Sequence, residues 1–186
     1  MLAMPLDDGA ELRALEPWNA EEYLAHIDRS REFIGRYIAL ADHATDLASA
    51  RAFLQGYADK ALADTGRLYG IWRQGTLVGG VLFRTFDTER QNCELGSWLE
   101  ESAVGHGLVT RACTMLIDWA VEVRGMHRME WHVSSANAAS INVAKRLGMT
   151  LDGVLRESYP HQGVRHDMEV WSVLAPQWRA HRAGTR

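Results

Sequence analysis

Three consecutive segments with β-strand patterning, followed by a pair of glycines, constrain the fold of this chain most. RLYGIWR (Arg67–Arg73) and LVGGVLFRTFD (Leu77–Asp87) flank a Gln-Gly-Thr turn, which predicts a hairpin, and NCELGSWL (Asn92–Leu99) predicts the next strand. Apolar residues then recur at helical spacing, which predicts an amphipathic helix over Leu108–Val123. A strand meander that leads into a helix in this way is typical of an α+β domain with a central sheet.

The remaining elements are predicted from capping residues, hydrophobic periodicity and turn signals. They are a strand at Glu11–Pro17, helices at Asn19–Ile38 and Asp46–Ala63, a strand at Arg128–Ser134, a helix at Asn137–Gly148, and a hairpin of Thr150–Tyr159 with Val164–Leu174. The predicted order is βααβββαβαββ, a central, mainly antiparallel mixed sheet with helices on both faces. We expect one domain over residues 1–186, with a loose tail from about residue 177.

Composition excludes several classes of protein. The 186 residues are 47% hydrophobic and 24% charged, and the net charge is −4 without a basic stripe, so a direct nucleic-acid partner is not expected. No segment approaches the roughly 20 apolar residues of a membrane span, and the first residues lack signal-peptide features, which predicts a cytoplasmic protein. Cys93 and Cys113 have no zinc-type spacing, so we expect two buried thiols and no metal.

Gly105 and Gly107 lie immediately before the predicted helix at Leu108. They could form a plain turn. They could also let the N–H groups of the helix start approach an anion, since glycine has no Cβ and the helix dipole is positive there. The spacing is not a Walker loop, because no G-K-[ST] follows, and it lacks the third glycine of a dinucleotide fingerprint. The residues alone leave both interpretations open.

The segment Ser102–Gly107 nevertheless resembles the acetyl-CoA motif [QR]-x-x-G-x-[GA] of the GCN5-related N-acetyltransferase (GNAT) superfamily, except at its first position, Ser102. Further along the chain, NAAS (Asn137–Ser140), AKRLGMTLDGVLRE and HDMEVWS resemble the RimJ/RimL-type ribosomal-protein N-acetyltransferases. The resemblance spans about Gly66 to Leu174. It implies the GNAT fold, acetyl-CoA as cosubstrate and no metal.

The resemblance also implies where acetyl-CoA binds: between two splayed strands, Asn92–Leu99 and Arg128–Ser134. The pantetheine arm would contact the backbone of one strand end, the pyrophosphate would contact the amides of the glycine loop, and an asparagine would contact the CoA arm. The residues that match these positions are Trp98, Leu99, Glu100, Gly105, His106, Gly107, Leu108 and Asn137. Trp98 and Trp131 flank the predicted cleft, and either could line an acceptor pocket.

Acetyl transfer to an amine needs a group that takes a proton from the amine and a donor for the leaving thiolate. Ser140 matches the serine that Rim-type enzymes use as general acid. The base is less defined. The position that matches the glutamate base of Rim-type enzymes is Tyr159 in this chain. Glu157 is the nearest acid, and by strand alternation it shares a face with Tyr159. Glu94 is the rival base, Asp167 is a third acid, and a mechanism without a dedicated base is also open.

The expected function is therefore transfer of acetyl from acetyl-CoA to a primary amine, foremost the N-terminal α-amino group of a protein. A small amine or antibiotic is the alternative acceptor, and a non-catalytic acyl-CoA sensor is the alternative from another class. By analogy with the family, a homodimer is possible.

Overall fold

The computed structural model describes residues 3–7 and 9–184, in which strands and helices follow one another with short connections. The elements are β1 (Met4–Asp7), β2 (Ala10–Ala14), α1 (Ala20–Gly35), α2 (Leu47–Leu62), β3 (Arg67–Arg73), β4 (Thr76–Asp87), β5 (Asn92–Leu99), α3 (Leu108–Glu122), β6 (Arg128–Ser134), α4 (Ala138–Arg146), β7 (Thr150–His161), β8 (Val164–Leu174) and α5 (Ala175–Gly184). Short 3₁₀ turns lie at Pro17–Asn19, Ala39–His43 and Glu101–Ala103.

This order contains the predicted βααβββαβαββ with one element added at each end. The added strand β1 pairs antiparallel with β2. The predicted first strand was placed too late, because the chain turns at Pro17 into a 3₁₀ helix.

The expectation of a loose tail from about residue 177 is wrong, because α5 forms there. Trp178 on this helix is 1% exposed, and its indole Nε1–H donates to Asp118 at 2.8 Å. Arg182 forms an ion pair with the same carboxylate at 3.0 Å. Pro176 lies in the first turn of α5, where a helix needs no N–H from it.

The chain divides into two compact units, and the first comprises Met1–Phe83 and Ser97–Ala112. Its strands follow the order β1-β2-β3-β4, and each described pair is antiparallel. The two helices α1 and α2 pack with these strands around an apolar cluster. Among its buried members are Leu15, Tyr23, Ile27, Leu54, Leu68, Leu82 and Trp98.

The second unit comprises Arg84–Gly96 and Cys113–Arg186. Its strands follow the order β5-β6-β8-β7. β5 and β6 are parallel and pair from Asn92–Arg128 to Leu95–Trp131, whereas β6–β8 and β8–β7 are antiparallel. Among the described residues the parallel ladder ends at Leu95, although β5 continues to Leu99.

The eight strands form one mixed, mainly antiparallel sheet, accompanied by five α-helices within residues 3–7 and 9–184. This confirms the predicted α+β class. No helix in the described part of the chain is long and apolar enough to cross a membrane.

Candidate functional site

The glycine loop begins α3 and carries a guanidinium from one turn further along the helix. Gly105 and Gly107 have φ of +91° and +69°, which a residue with a Cβ rarely adopts. The N–H of Arg111 donates to the Gly107 carbonyl at 3.0 Å and starts the helical ladder. The Arg111 side chain leans back towards the N-terminus, as helical side chains do, and its Nη2 donates to the His106 carbonyl at 2.8 Å.

This arrangement suits a phosphate group. The N–H groups of a helix's first turn lack intrahelical partners, and the helix dipole adds partial positive charge there. Arg111 adds a full positive charge with planar donors that match phosphate oxygens. A Cβ at Gly107 would lie 3.2 Å from Nη1 of Arg111, so a larger residue there would crowd the guanidinium. Leu108 anchors the helix start at 1% exposure, whereas His106 is exposed.

Trp98, at the end of β5, is part of the core and does not line an acceptor pocket. Its side chain is 4% exposed. A Cβ at Gly80 would lie 2.1 Å from the Trp98 ring, and one at Gly79 would lie 2.5 Å from the Trp98 carbonyl oxygen. The Gly79–Gly80 pair in β4 therefore makes room for this strand end. The second tryptophan proposed for a pocket, Trp131, is also buried, at 2% exposure.

The backbone around Trp98–Glu100 can offer fewer donors than the sequence suggested. The Glu100 N–H donates to the Val78 carbonyl of β4 at 2.9 Å. Because successive residues of an extended chain direct their N–H and C=O groups to opposite sides, Leu99 directs its own away from β4. Of the three predicted residues, Leu99 is thus the one whose backbone faces a possible ligand.

The Glu100 side chain is held by three neighbours. Ser102 Oγ donates to it at 2.6 Å, Arg29 Nη2 lies at 3.2 Å, and His26 Nδ1 lies at 3.3 Å. Partial burial opposes ionisation, but the hydrogen bonds from Ser102 and Arg29 prevail and lower the pKa of Glu100. Ser102, the residue that departs from the family motif, therefore fixes Glu100.

Ser140 lies in the first turn of α4, where two hydrogen bonds fix it. The Asn137 side chain caps the helix by accepting the Ser140 N–H at 3.1 Å, as predicted. The indole Nε1–H of Trp131 donates to Ser140 Oγ at 3.0 Å. Since indole can only donate, the hydroxyl accepts this bond and directs its own hydrogen elsewhere. The group can therefore act as a proton donor.

Glu94 lies on β5 in a charged environment. Arg84 Nε forms an ion pair with its carboxylate at 2.9 Å, and His132 Nδ1 lies 4.0 Å away. In the parallel ladder Glu94 is opposite Glu130, whose carboxylate accepts a hydrogen bond from Arg128 at 2.6 Å. The Glu94 carboxylate is thus held in place by the Arg84 guanidinium.

Glu157 occupies a bulge in β7. The ladder with β8 shifts register between Leu155 and Tyr159, and Glu157 has φ of +51°. The expectation that Glu157 and Tyr159 share a face by simple alternation is therefore wrong, because the bulge breaks the period of two. The Glu157 N–H donates to Asp167 Oδ1 at 2.8 Å, and its carbonyl accepts from Arg165 Nη1 at 3.1 Å.

Asp167 is the residue that supports this bulge. Its carboxylate accepts from Glu157, and its backbone carbonyl accepts the Ser135 N–H at 3.0 Å. Ser135 belongs to the loop between β6 and α4, where the Ser134 carbonyl accepts the Asn137 N–H at 2.8 Å. Asp167 therefore connects the Glu157 bulge with the loop that leads to Ser140, and it acts as a structural carboxylate.

Thiol chemistry is disfavoured. Cys93 is 1% exposed and Cys113 is fully buried. Burial raises the pKa of both thiols, that of Cys93 to about 12, so neither forms the thiolate that a nucleophile needs. Among residues 3–7 and 9–184, no group of three His, Cys, Asp or Glu side chains could hold a metal ion.

The structure distributes the predicted residues over the two units. Most predicted cofactor residues, from Trp98 to Leu108, belong to the first unit, whereas Asn137 and the three catalytic candidates belong to the second. Sequence reasoning missed Arg111, although its position four residues after Gly107 was a signal. It also missed His26, for which the sequence offered no signal because its partners lie about 70 residues away.

Comparisons with known proteins agree with this geometry. A family model described as "Acetyltransferase (GNAT) domain" matches residues 10–150. The chain is 25% identical, over 98% of its length and 100% of the relative's, to "Putative ribosomal N-acetyltransferase YdaF" of Bacillus subtilis (strain 168).

Two solved structures share the fold. One is RimL, the ribosomal L7/L12 alpha-N-protein acetyltransferase, in complex with coenzyme A, with a TM-score of 0.87, 20% identity, and coverage of 93% of this chain and 98% of that one. The other is the microcin C7 self immunity acetyltransferase MccE in complex with acetyl-CoA and AMP, with a TM-score of 0.85, 22% identity, and coverage of 91% and 94%. Because the family model covers most of the chain, this protein belongs to the GNAT acetyltransferases and is an N-acetyltransferase.

Proposed function

We propose that this protein transfers the acetyl group of acetyl-CoA to the N-terminal α-amino group of a protein, of the kind that ribosomal-protein acetyltransferases modify. The glycine loop at the start of α3, with Arg111 beside it, is the observation that carries the cofactor assignment. The acceptor assignment rests on the full-length similarity to a putative ribosomal N-acetyltransferase. Ribosomal acceptors would place the protein in the cytoplasm.

Acetyl-CoA supplies an acetyl thioester, and the first unit holds most of the residues proposed to bind it. The N–H groups of the loop from Gly105 to Leu108 bind the pyrophosphate, and Arg111 neutralises part of its charge. The backbone of Leu99 pairs with the amide groups of the pantetheine arm. Asn137 is the further residue proposed to contact the CoA arm, with the part of its side chain that does not cap α4.

Ser140 protonates the leaving thiolate. The Trp131 indole holds Ser140 Oγ and directs the hydroxyl hydrogen away from itself. The amine must lose a proton to attack, since an α-amino group has a reference pKa of about 8. Correct placement of the two reactants supplies much of the remaining acceleration.

Glu157 accepts the proton of the amine. A non-glycine residue with positive φ inside a strand is strained, and strained residues of this kind cluster at functional sites. Bulges also redirect side chains next to active sites. Glu94 is the weaker candidate, because its carboxylate is already occupied by the ion pair with Arg84. Glu157→Gln and Glu94→Gln distinguish the two candidates, because kcat should fall strongly when the base is replaced and little when the other acid is replaced.

We further propose a homodimer in which the β7 edge strands of two copies meet. β7 is the last strand of the sheet, so one side of its backbone has no neighbouring strand within the described chain. Three apolar residues on it, Leu151, Val154 and Leu155, are 43%, 46% and 51% exposed. Leu155→Asp should shift the mass measured by light scattering to that of a monomer. The control Val123→Asp changes an apolar residue that is 69% exposed in the turn after α3 and should leave the mass unchanged.

Calorimetric titration with acetyl-CoA, followed by thiol release, tests the main proposal. The acceptor panel contains peptides with a free N-terminus, the same peptides with the N-terminus blocked and a lysine free, and small polyamines. Turnover only with free N-termini supports it. Turnover only with small amines would reassign the protein to the alternative enzymatic class. Binding without any turnover would favour an acyl-CoA sensor, and no binding at all would remove the cofactor assignment.

A further inference from the structure

His26 of α1 is a fully buried histidine that contacts the polar side-chain groups of Trp98 and Glu100 near the end of β5. Its side chain is 0% exposed. Its Nε2 lies 3.0 Å from the indole Nε1 of Trp98, and its Nδ1 lies 3.3 Å from Oε2 of Glu100. One imidazole therefore bridges two residues that are separated by one position in the chain.

The chemistry of the three groups fixes the protonation of the ring. Indole can only donate, so Nε2 of His26 must accept and carries no hydrogen. A neutral imidazole then has its hydrogen on Nδ1, from which it donates to the Glu100 carboxylate. Burial, which lowers the pKa of His26 to about 4, keeps the ring neutral at physiological pH.

Both partners of His26 belong to the strand end that flanks Leu99. Trp98 is wedged against Gly79 and Gly80 on one side, and Glu100 is tied by its N–H to Val78. The His26 imidazole contacts both the Trp98 and the Glu100 side chain and so fixes the distance between them. Leu99, between them, is thereby kept in an extended conformation.

We propose that His26 is a positioning residue for acetyl-CoA binding, which fixes Trp98 and Glu100 so that the intervening Leu99 backbone is preorganised for the pantetheine arm. This rests on the proposed function, because it takes Leu99 as the residue that pairs with the cofactor. His26 itself does not touch the cofactor or the reacting atoms. Preorganisation raises affinity by removing the ordering that binding would otherwise require.

The test compares His26→Leu with His26→Gln. Leucine fills the space and removes both hydrogen bonds, whereas the glutamine amide can accept from Trp98 and donate to Glu100. Tyr23→Phe is the matched control: Tyr23 lies one turn earlier on α1, is 0% exposed and packs edge-on against Trp98 at 6.3 Å. Its hydroxyl has no hydrogen-bond partner among the described residues, so its removal should not affect the strand end.

We expect His26→Leu to raise the KM and the calorimetric Kd for acetyl-CoA by about tenfold, the effect of one or two hydrogen bonds. The values of kcat and of the KM for the acceptor should stay within about twofold. His26→Gln should recover most of the affinity, and Tyr23→Phe should match the wild type. All assays are run well below the melting temperature of each variant, so that a loss of stability is not mistaken for a loss of affinity.

Trp98→Phe alone tests the same hydrogen bond from its donor side if His26→Leu folds poorly, and a double-substitution cycle tests the pair if it folds well. Trp98→Phe removes the indole N–H together with the benzo atoms that lie against Gly80, so the single variant also measures the cost of the lost packing. If the pair acts as a unit on the cofactor, the double variant binds acetyl-CoA about as well as either single variant. An unchanged Kd in His26→Leu, or a fall in kcat alone, overturns the positioning role. Failure of the proposed function is distinguishable, because the wild type itself would then not bind acetyl-CoA.

Discussion

Replacing Glu157 with glycine removes both the backbone strain and the carboxylate at the bulge in β7, and the two losses affect different measurements. Glu157 has φ of +51° in the middle of a strand, a conformation that is disfavoured for a residue with a Cβ. The strain is of the order of 1–2 kcal/mol, and the extra freedom of glycine in the unfolded chain cancels about 0.5–1 kcal/mol of the gain. The Asp167 hydrogen bond survives, because its donor is the backbone N–H.

The substitution should therefore raise the free energy of unfolding by up to about 1 kcal/mol, or Tm by about 2–4 °C for a chain of this size. At the same time the carboxylate is lost, and kcat should fall by about 10²–10⁴-fold, the usual contribution of a general base. The assays are thermal unfolding followed by circular dichroism and thiol release at saturating acetyl-CoA. A more stable protein with lower activity is the signature of strain kept for function.

Two controls sharpen the comparison. Gln91→Gly relieves the same conformation, φ of +54°, in the turn between β4 and β5, and should raise Tm without changing kcat. Glu157→Gln keeps the strain and removes the charge, so kcat should fall while Tm stays constant. If Glu157→Gly gains stability and keeps full activity, the bulge is only a structural irregularity and Glu157 is not the base.

Three further predictions address other parts of the site. Gly107→Val should weaken acetyl-CoA binding by at least about tenfold in calorimetry. The valine side chain would crowd Arg111 and would require a positive φ that valine disfavours. An unchanged affinity would mean that the loop is a plain turn. Ser140→Ala should lower kcat by about 10–100-fold with an unchanged KM for acetyl-CoA, and a matching drop in KM would point to a different role. Stability should fall as pH decreases from about 6.5 to about 4, since the unfolded chain protonates His26 at its ordinary pKa and the folded protein resists until about 4. The free energy of unfolding, measured by chemical denaturation, should fall by ~3 kcal/mol over this pH range. His26→Gln should remove this loss, whereas the destabilisation caused by protonation of Glu100 at low pH should remain in both proteins.

Local patterns in the sequence account for the features that were predicted. The helix over Leu47–Leu62 is capped by Asp46, whose carboxylate accepts the Ser49 N–H at 2.7 Å. The cap at Asn137 and the strands of the meander follow in the same way from residues within a few positions of one another. Such signals act over short range, so one sequence suffices to read them.

The features that were missed depend on contacts between distant parts of the chain. Helix α5 is stabilised by Trp178 and Arg182 on Asp118, about 60 residues earlier, and its own sequence contains a proline. The bulge at Glu157 depends on Asp167 across the hairpin, which alternation along one strand cannot reveal. The protonation of His26 is set by Trp98 and Glu100. Tertiary contacts override local preference in each case.

The two groups of site residues are held by separate hydrogen-bond networks, which has a consequence for combined variants. His26, Arg29 and Ser102 hold Glu100, whereas Trp131 and Asn137 hold Ser140. Residues that share no partner usually contribute additively, whereas members of one network do not. His26→Leu combined with Ser140→Ala should therefore show the product of the two single effects on kcat/KM. His26→Leu combined with Trp98→Phe should show much less than the product. Equal non-additivity in both pairs would mean that the positioning of acetyl-CoA and the protonation of its thiolate cannot be assigned to different residues.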